Sequence, residues 1–233
     1  MIECGLTGTV PEALFTGLNK LTNLWLHQNS LSGTISSTLT TKLTNLEMLS
    51  LEKNKFIGDI PEFDATKMTS LADLRLRGNM LNGTIPSSMY HLTALEYLEM
   101  SFLDESIALA LVFNPTEVVA AHNPLPTDIG RLTQLTNLLS GGLNMTGTIP
   151  TEIGLLTTIK NLGIPAAYLT GTIPSEIGLL SELRGLLLST NYLTGQIPSE
   201  LGQLFQLNGI VLSDNLLTGT VPRQLASNRN LST

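Results

Sequence analysis

The sequence predicts an α/β solenoid in which short repeats, each with a strand and a helical turn, stack along one axis. Three observations predict this fold. A glycine-centred element, Leu-x-Gly-x-Ile/Val-Pro, recurs along the chain every 24–25 residues. Leucine-like residues recur at fixed distances before it. A short apolar row follows the proline, as in PSEIGLL at 174–180.

The spacing between the glycines of this element gives the length of the repeat. Successive glycines are 25, 25, 25, 64, 24, 24 and 24 residues apart. The step of 64 contains one further repeat, because NPLPTDIGRL places Pro126 24 residues before Pro150. Residues 1–233 are therefore expected to form a single solenoid of about nine repeats. The glycines are Gly8, Gly33, Gly58, Gly83, Gly147, Gly171, Gly195 and Gly219.

Each repeat is expected to start with a short strand and to end with a helical turn. Counting back from the proline, leucine-like residues stand at −15, −12 and −10. The Leu-x-Leu spacing has the period of a strand that turns both leucines inward. After the proline, Ile177 and Leu180 fit one 3₁₀ or α-helical turn, and Pro174 lies where no N–H is needed. One repeat buries too little apolar surface to offset its ordering entropy, so the repeats must stack their strands into a parallel sheet.

An asparagine at −7 stands where the chain leaves each strand. Its amide both donates and accepts, and it can therefore satisfy backbone groups that the bend buries. Cys4 and Ala167 occupy the same position in other repeats, and Cys4 is expected to be a small buried thiol rather than a reactive one. The predicted structural ladder consists of Asn29, Asn54, Asn79, Asn191 and Asn215.

Composition and motifs exclude several functions. Twelve Lys and Arg against nineteen Asp and Glu give a formal net charge of −7, so a nucleic-acid partner is not expected. The longest apolar run, at 107–113, is far shorter than the ~20 residues of a membrane span, and the first residues lack the apolar core of a signal peptide. Zinc-site spacing and the common catalytic signatures are not found. We expect a chain that is not itself an enzyme, needs no cofactor or metal and makes no membrane contact.

The complete pattern, LxxLxLxxNxLxGxIPxxLGxL, resembles the plant-type leucine-rich repeat of receptor-like kinase and receptor-like protein ectodomains. The resemblance extends over nearly the whole chain. It implies a horseshoe or superhelical solenoid with a parallel concave sheet, short second strands and 3₁₀ or α-helical turns on the convex side. It also implies an extracellular or cell-surface module for signal transduction that binds a protein, a peptide or a glycan, with any kinase domain outside this chain.

Two departures from the family pattern concern the chain ends and one insertion. Family ectodomains close both ends with cysteine-bearing caps, whereas this chain begins and ends in mid-repeat, so a fragment is expected. Residues 101–122 contain an insertion of about 16 residues. Its two open interpretations are a binding loop and non-coding sequence that has been read through.

The outward positions −13, −11, −9 and −8 of the strands form the candidate binding face. Stacking places equivalent side chains about 4.8 Å apart. In the first four repeats these positions combine aromatic side chains with both charges, as recognition of a peptide or saccharide requires; in the last four they are small and plain. The predicted ligand-binding residues are Trp25, His27, Gln28, Glu52, Asp73, Arg75, Arg77, Tyr97, Glu99 and Phe102.

The charges on this face also have a simpler interpretation. Arg75 beside Glu99 and Glu52 beside Arg77 would form lateral ion pairs on a merely solvated sheet. For Trp25, an indole at an outward position, recognition is favoured.

Two other functions are compatible with the repeat. A secreted inhibitor that fills an enzyme cleft would have the same fold. Threonines such as Thr170 and Thr172 could stack into a ladder resembling that of ice-binding solenoids, although the rows are interrupted at Ile57, Asp59, Asn82 and Gln196. Threonine also simply suits a flanking strand.

Three sequons are candidate sites for N-linked glycans and favour secretion slightly. A fourth Asn-x-Thr triplet, at Asn114, is excluded by its proline. The candidate acceptors are Asn82, Asn144 and Asn230.

Overall fold

The computed structural model describes residues 4–101, 123–142 and 145–226. The chain folds as two compact units, 1–121 and 122–233, which are described in turn. Apart from Ser101, the predicted insertion at 101–122 lies outside the described residues. One continuous solenoid of about nine repeats stays a prediction from the sequence.

The first unit contains two parallel sheets. In its main sheet, Leu24, Leu49, Leu74 and Leu98 pair as adjacent rungs, which confirms the predicted stacking. Their side chains are buried, and the neighbouring outward side chains are exposed to varying degrees. The main-sheet strands are β2 (Asn23–Trp25), β4 (Met48–Ser50), β6 (Asp73–Arg75) and β8 (Tyr97–Glu99). The second-sheet strands are β1 (Thr7–Thr9), β3 (Ser30–Thr34), β5 (Lys55–Gly58) and β7 (Met80–Leu81).

Short helical turns connect the two sheets of the first unit. Ser36 begins the second of them, because its hydroxyl accepts a hydrogen bond from the Thr38 N–H at 3.1 Å. The third repeat has turns rather than a helix in this segment, and there the Thr40 hydroxyl of the preceding repeat donates to the Glu62 carbonyl at 2.7 Å. The helices are α1 (Ala13–Gly17), α2 (Ser37–Lys42) and the 3₁₀ helix Ser87–His91.

The second unit repeats the same design. Its main-sheet strands pair in register: Leu138 pairs with Leu162, Leu162 with Leu186, and Leu186 with Ile210. The second sheet has the order β13–β11–β9. The main-sheet strands are β10 (Asn137–Leu139), β12 (Asn161–Gly163), β14 (Gly185–Leu187) and β15 (Gly209–Val211). The second-sheet strands are β9 (Asn123–Pro124), β11 (Met145–Thr148) and β13 (Tyr168–Thr170). The helices are 3₁₀ helices Thr127–Arg131, Thr151–Leu155, Ser175–Leu179 and Ser199–Gln203, followed by α3 (Arg223–Ala226).

The prolines begin the 3₁₀ helices, as the sequence predicts. Pro174 is extended, with φ −69° and ψ 142°, and precedes the first helical residue, where no N–H is required. Its carbonyl accepts the Ile177 N–H at 3.2 Å. The Ile177 and Leu180 side chains that follow are fully buried.

The glycines of the Leu-x-Gly-x-Ile/Val-Pro element relieve a tight bend at all but one position. Seven of the eight have φ between +74° and +83°, a conformation that other residues rarely adopt. Gly83 is the exception: its φ lies outside this range, and glycine is needed there because a Cβ would overlap the Asp59 side chain. The seven are Gly8, Gly33, Gly58, Gly147, Gly171, Gly195 and Gly219.

Threonine hydroxyls link neighbouring repeats of the second unit. Thr170, Thr194 and Thr218 each donate to the carbonyl of the glycine 23 residues earlier, at 3.1–3.2 Å. These hydroxyls are therefore used within the fold, which gives these threonines a structural role.

The asparagine ladder is present at all five predicted positions. The buried Asn79 accepts the Phe56 N–H at 3.1 Å, and its amide donates to the carbonyls of Leu51 and Leu76 at 3.0 and 2.9 Å. The same amide therefore closes its own bend and joins the preceding repeat. Equivalent bonds are made by Asn29, Asn54, Asn191 and Asn215.

Cys4 does not follow the expectation for this position. It is exposed rather than buried, so the prediction of a buried thiol is wrong. Cys4 is the first residue that the structure describes. Its N–H donates to the Asn29 amide oxygen at 3.2 Å.

Replacing Asn79 by alanine is expected to destabilise the first unit by about 2–4 kcal/mol, because several buried backbone groups lose their partner. The midpoint of urea denaturation measures the loss. Asn23→Ala is the matched control, since the Asn23 amide is exposed and donates to the adjacent Thr22 hydroxyl. Equal midpoints for the two variants would contradict the role of the ladder.

Replacing Gly154 by alanine is expected to destabilise the second unit by about 1–3 kcal/mol through overpacking. A Cβ at Gly154 would lie 2.8 Å from the Glu176 carbonyl oxygen of the next repeat. Gly209→Ala is the control, because no heavy atom lies within 4 Å of the Cβ it would add. Thermal melting should separate the two variants; an unchanged midpoint for Gly154→Ala would show that the helices can move apart.

Candidate functional site

The outward residues of the first unit's main sheet form two columns across the strands. Strand pairing places Trp25, Ser50, Arg75 and Glu99 side by side. The bonds from Gln28 N–H to the Glu52 carbonyl and from Lys53 N–H to the Arg77 carbonyl extend this register. His27, Glu52 and Arg77 therefore form the second column. We call this set, with Asp73 and Tyr97, the candidate face.

Arg75 is held at two sides by neighbours on the candidate face. Its Nε and Nη2 atoms donate to the two Asp73 carboxylate oxygens at 2.9 and 2.8 Å. Its guanidinium lies 4.4 Å from the centre of the Tyr97 ring, at cation–π distance. The Asp73 hydrogen bonds raise the pKa of Arg75 above its already high usual value. Arg75 thus pairs with Asp73, not with Glu99 as the sequence suggested, because Asp73 is two residues away on the same side of β6.

Glu99 is the one carboxylate of the candidate face that is buried, with 5% of its surface exposed. It accepts hydrogen bonds from Arg77 Nη1 and from the Tyr97 hydroxyl, both at 3.3 Å. Burial, followed by the charge of Glu99, raises the pKa of Tyr97. Glu99 therefore positions Arg77 and Tyr97 more than it presents its own carboxylate to solvent.

Trp25 is the exposed residue of the candidate face, and Glu52 is half-buried. Trp25 is 46% exposed, and its indole N–H points to the sulfur of Met48. The Ser50 hydroxyl and His27 Nδ1 share a hydrogen bond at 3.2 Å. Among the described residues, no cationic group lies within 4.0 Å of the Glu52 carboxylate. Glu52 is near enough to Arg75 to contribute to raising its pKa.

Gln28 occupies a position with a special backbone. Its φ is +55°, in the left-handed region, and the residue before each ladder asparagine shares this conformation. The sequence reasoning missed this requirement, for which Gly78 was the available signal. Non-glycine residues with φ between +52° and +57° are Gln28, Lys53, Ala166, Thr190 and Asp214.

The remaining predicted site residues divide by whether the structure describes them. Phe102, Asn144 and Asn230 lie outside the described residues. Asn82 is exposed in the turn after β7. It is close in sequence to Met80, which pairs with Ile57, and these two apolar side chains are 55% and 47% exposed. Glycosylation at Asn82 stays a prediction.

Most outward positions of the second unit are small or apolar, and the larger polar side chains among them are Asn137, Asn161 and Asp214. Its main-sheet column contains Leu139, Gly163, Leu187 and Val211. Tyr168 and Tyr192 stack in adjacent repeats with ring centres 6.2 Å apart, a contact that the sequence reasoning missed. No charged pair within 4.0 Å is found on the described part of this sheet face.

The described residues contain neither a metal-binding cluster nor a membrane-spanning helix. In these parts of the chain, His, Cys, Asp and Glu side chains do not come together in threes in a way that could hold a metal ion. None of the helices in the same parts has the length and apolar character that spanning a membrane requires.

Comparison with known proteins identifies both the repeat and the fold. The Leucine Rich Repeat family model matches residues 182–204. A structure of the Arabidopsis receptor kinase HAESA, in complex with the peptide hormone IDA and the co-receptor SERK1, is 30% identical over 94% of this chain, with a TM-score of 0.82. The plant peptide hormone receptor RGFR1, in complex with RGF2, is 34% identical over 97% of this chain, with a TM-score of 0.75.

A plant ice-binding protein also has this fold, but at 23% identity over 93% of this chain and 71% of its own, with a TM-score of 0.70. Such a likeness shows the fold alone. Among curated proteins, no relative matches the chain. The chain covers 34% of the HAESA chain and 37% of the RGFR1 chain, about a third of their length. By its repeat motif and its fold, the chain is a leucine-rich-repeat protein, similar to the ectodomains of plant receptor kinases.

Proposed function

We propose that this chain is a non-catalytic recognition module that binds a peptide on the candidate face of the first unit. The observation that carries the proposal is a half-exposed tryptophan on the same sheet face as two arginines whose side chains are held by Asp73 and Glu99. Side chains fixed before binding lose little entropy when a ligand arrives. Tryptophan, tyrosine and arginine are also the residues that most often dominate binding energy at protein interfaces.

The similar receptor structures support a peptide as the ligand. HAESA and RGFR1 were each solved with a peptide hormone, at 30% and 34% identity to this chain. Because the chain covers about a third of their length, we propose that it acts as part of a larger extracellular receptor-like protein. Signal transduction, membrane anchoring, a co-receptor and any kinase domain would belong to that whole protein.

The alternative functions have less support. A secreted inhibitor of an enzyme would use the same solenoid, and a glycan would use the same aromatic and charged side chains. A threonine ladder that orders water is disfavoured, because the hydroxyls of Thr170, Thr194 and Thr218 already donate to backbone carbonyls. Peptide recognition remains the function with the strongest argument from the face itself.

Replacing Trp25 or Arg75 by alanine is expected to weaken peptide binding at least about tenfold, as loss of a binding hot spot does. Peptides would be selected from a random library on the full chain, and the Kd of a selected peptide measured by calorimetry for each variant. The controls are Ser189→Ala and Ser213→Ala at outward positions of the second unit, for which the Kd should stay within about twofold.

Equal losses at both ends of the chain would refute this placement of the site. Enrichment of no peptide at all would refute peptide recognition by the chain. Circular dichroism of each variant separates lost binding from lost folding.

A further inference from the structure

The four 3₁₀ helices of the second unit share two outward positions. The first is a half-buried acidic residue two positions after the proline, and the second is an exposed residue three positions further along. Residues three apart lie above one another in a 3₁₀ helix, so the two side chains are neighbours. In helix Thr127–Arg131 they are Asp128 and Arg131, which form an ion pair at 2.6 Å. A cation at the second position thus neutralises the carboxylate at the first.

The next three helices keep the carboxylate and lack the cation. In each, the carboxylate accepts a hydrogen bond from the hydroxyl of the preceding residue at 3.2–3.3 Å. Among the described residues, no cationic group lies within 4.0 Å of any of the three carboxylates. The carboxylates are those of Glu152, Glu176 and Glu200, and the residues in the place of Arg131 are Leu155, Leu179 and Gln203.

Leu155 and Leu179 form an apolar row beside these carboxylates. Their side chains are 55% and 61% exposed. Leu155 Cδ1 and Glu152 Cβ lie 2.9 and 3.1 Å from the same point, the position of a Cβ at Gly130. The apolar and acidic rows are therefore adjacent, and exposed apolar groups that are contiguous and bordered by polar ones mark interaction sites. We call the two leucines and the three glutamates the Glu–Leu surface.

The helices that carry the Glu–Leu surface are held in register. A Cβ at Gly154 would lie 2.9 Å from the Cβ of Glu176. A Cβ at Gly178 would lie 2.5 Å from the Cβ of Glu200, so each glutamate packs on a glycine of the preceding helix. The strands of these repeats are about 4.8 Å apart, close to the pitch of an α-helix, about 5.4 Å. An α-helix that lies across the repeats therefore meets each repeat with about one turn.

We infer that the Glu–Leu surface is the docking site of a partner protein that presents an amphipathic helix with lysine or arginine beside an apolar row. The argument is charge complementarity, because Asp128 is neutralised within its own helix and the glutamates of the next helices are not. A basic residue of the partner can lay its alkyl chain on Leu155 or Leu179 and extend its charge to the neighbouring glutamate. A second copy of the chain fits less well, because its net charge is −7.

A designed peptide serves as the probe. It is a fluorescein-labelled helix of about four turns in which leucine and lysine alternate with helical periodicity. Fluorescence anisotropy measures its binding to the full chain at constant ionic strength. The matched probe contains the same residues in an order without helical periodicity, and therefore has the same charge. We expect saturable binding of the amphipathic peptide and a Kd at least about fivefold weaker for the matched probe.

Glutamine variants test the acidic row. The double variant Glu152→Gln with Glu176→Gln should weaken binding of the amphipathic peptide at least about fivefold, because two charge-assisted contacts are lost. Glu182→Gln is the matched control, since Glu182 is an exposed glutamate of the same unit outside the Glu–Leu surface. Its Kd should stay within about twofold of that of the unchanged chain.

An arginine variant tests both rows at once. In Leu155→Arg with Leu179→Arg, each arginine can pair with the glutamate of its own helix, as Arg131 pairs with Asp128. This variant should weaken binding at least about fivefold, because the apolar row is lost and the carboxylates are already neutralised. An unchanged midpoint of thermal unfolding separates lost binding from lost folding.

Equal affinity for the two peptides, or equal Kd values for the double glutamine variant and Glu182→Gln, would overturn the inference. Sedimentation velocity of the full chain alone tests the other occupant. A dimer that the arginine variant dissociates would make a second copy the occupant and would also overturn the inference. Because none of these variants changes Trp25 or Arg75, the result is separate from the test of peptide recognition by the first unit.

Discussion

The interaction on which the structure depends is the hydrogen bonding of the asparagine at the end of each main-sheet strand. At this point the chain bends into the interior and would bury backbone N–H and carbonyl groups away from water, at a cost of about 1–3 kcal/mol for each unpaired group. One amide meets both needs, because it accepts an N–H and donates to carbonyls of its own and the preceding repeat. The leucines supply the driving force for stacking, and the amide fixes the register in which stacking occurs.

That register determines the chemistry of the outward face. Because each strand is only three residues long and pairs rung by rung, a side chain at a given position meets its equivalents in the repeats on either side. Arg75 can therefore stack on Tyr97, and Arg77 can reach Glu99, without any loop to position them. In the sheet, the amino acid at one position of a repeat thus contacts the residue two positions earlier in the next repeat.

Most of the fold could be predicted from the sequence, because it follows from spacing alone. The rungs, the prolines before the 3₁₀ helices and the asparagines at the strand ends were each predicted from the period, and the structure contains them. The ion pairs could not be predicted. Arg75 pairs with Asp73 on its own strand and not with Glu99 on the next, and this depends on the rotamer of the arginine rather than on the register of the strands. Nor could the burial of Glu99, or the close approach of Glu176 to Gly154, be predicted, because these depend on the shapes of particular neighbours.

The left-handed residue before each ladder asparagine limits how this surface can change. Gln28, Thr190 and Asp214 face outward from a backbone conformation that costs a non-glycine residue roughly 1–2 kcal/mol. Thr190, a β-branched residue, already carries this cost, and a valine or isoleucine in place of Gln28 or Asp214 would strain the bend on which the amide relies in the same way. During evolution, or in a designed library, the surface can therefore be varied most easily at the outward positions −13, −11 and −9. At position −8, a substitution that improves binding can also lower the stability of the fold.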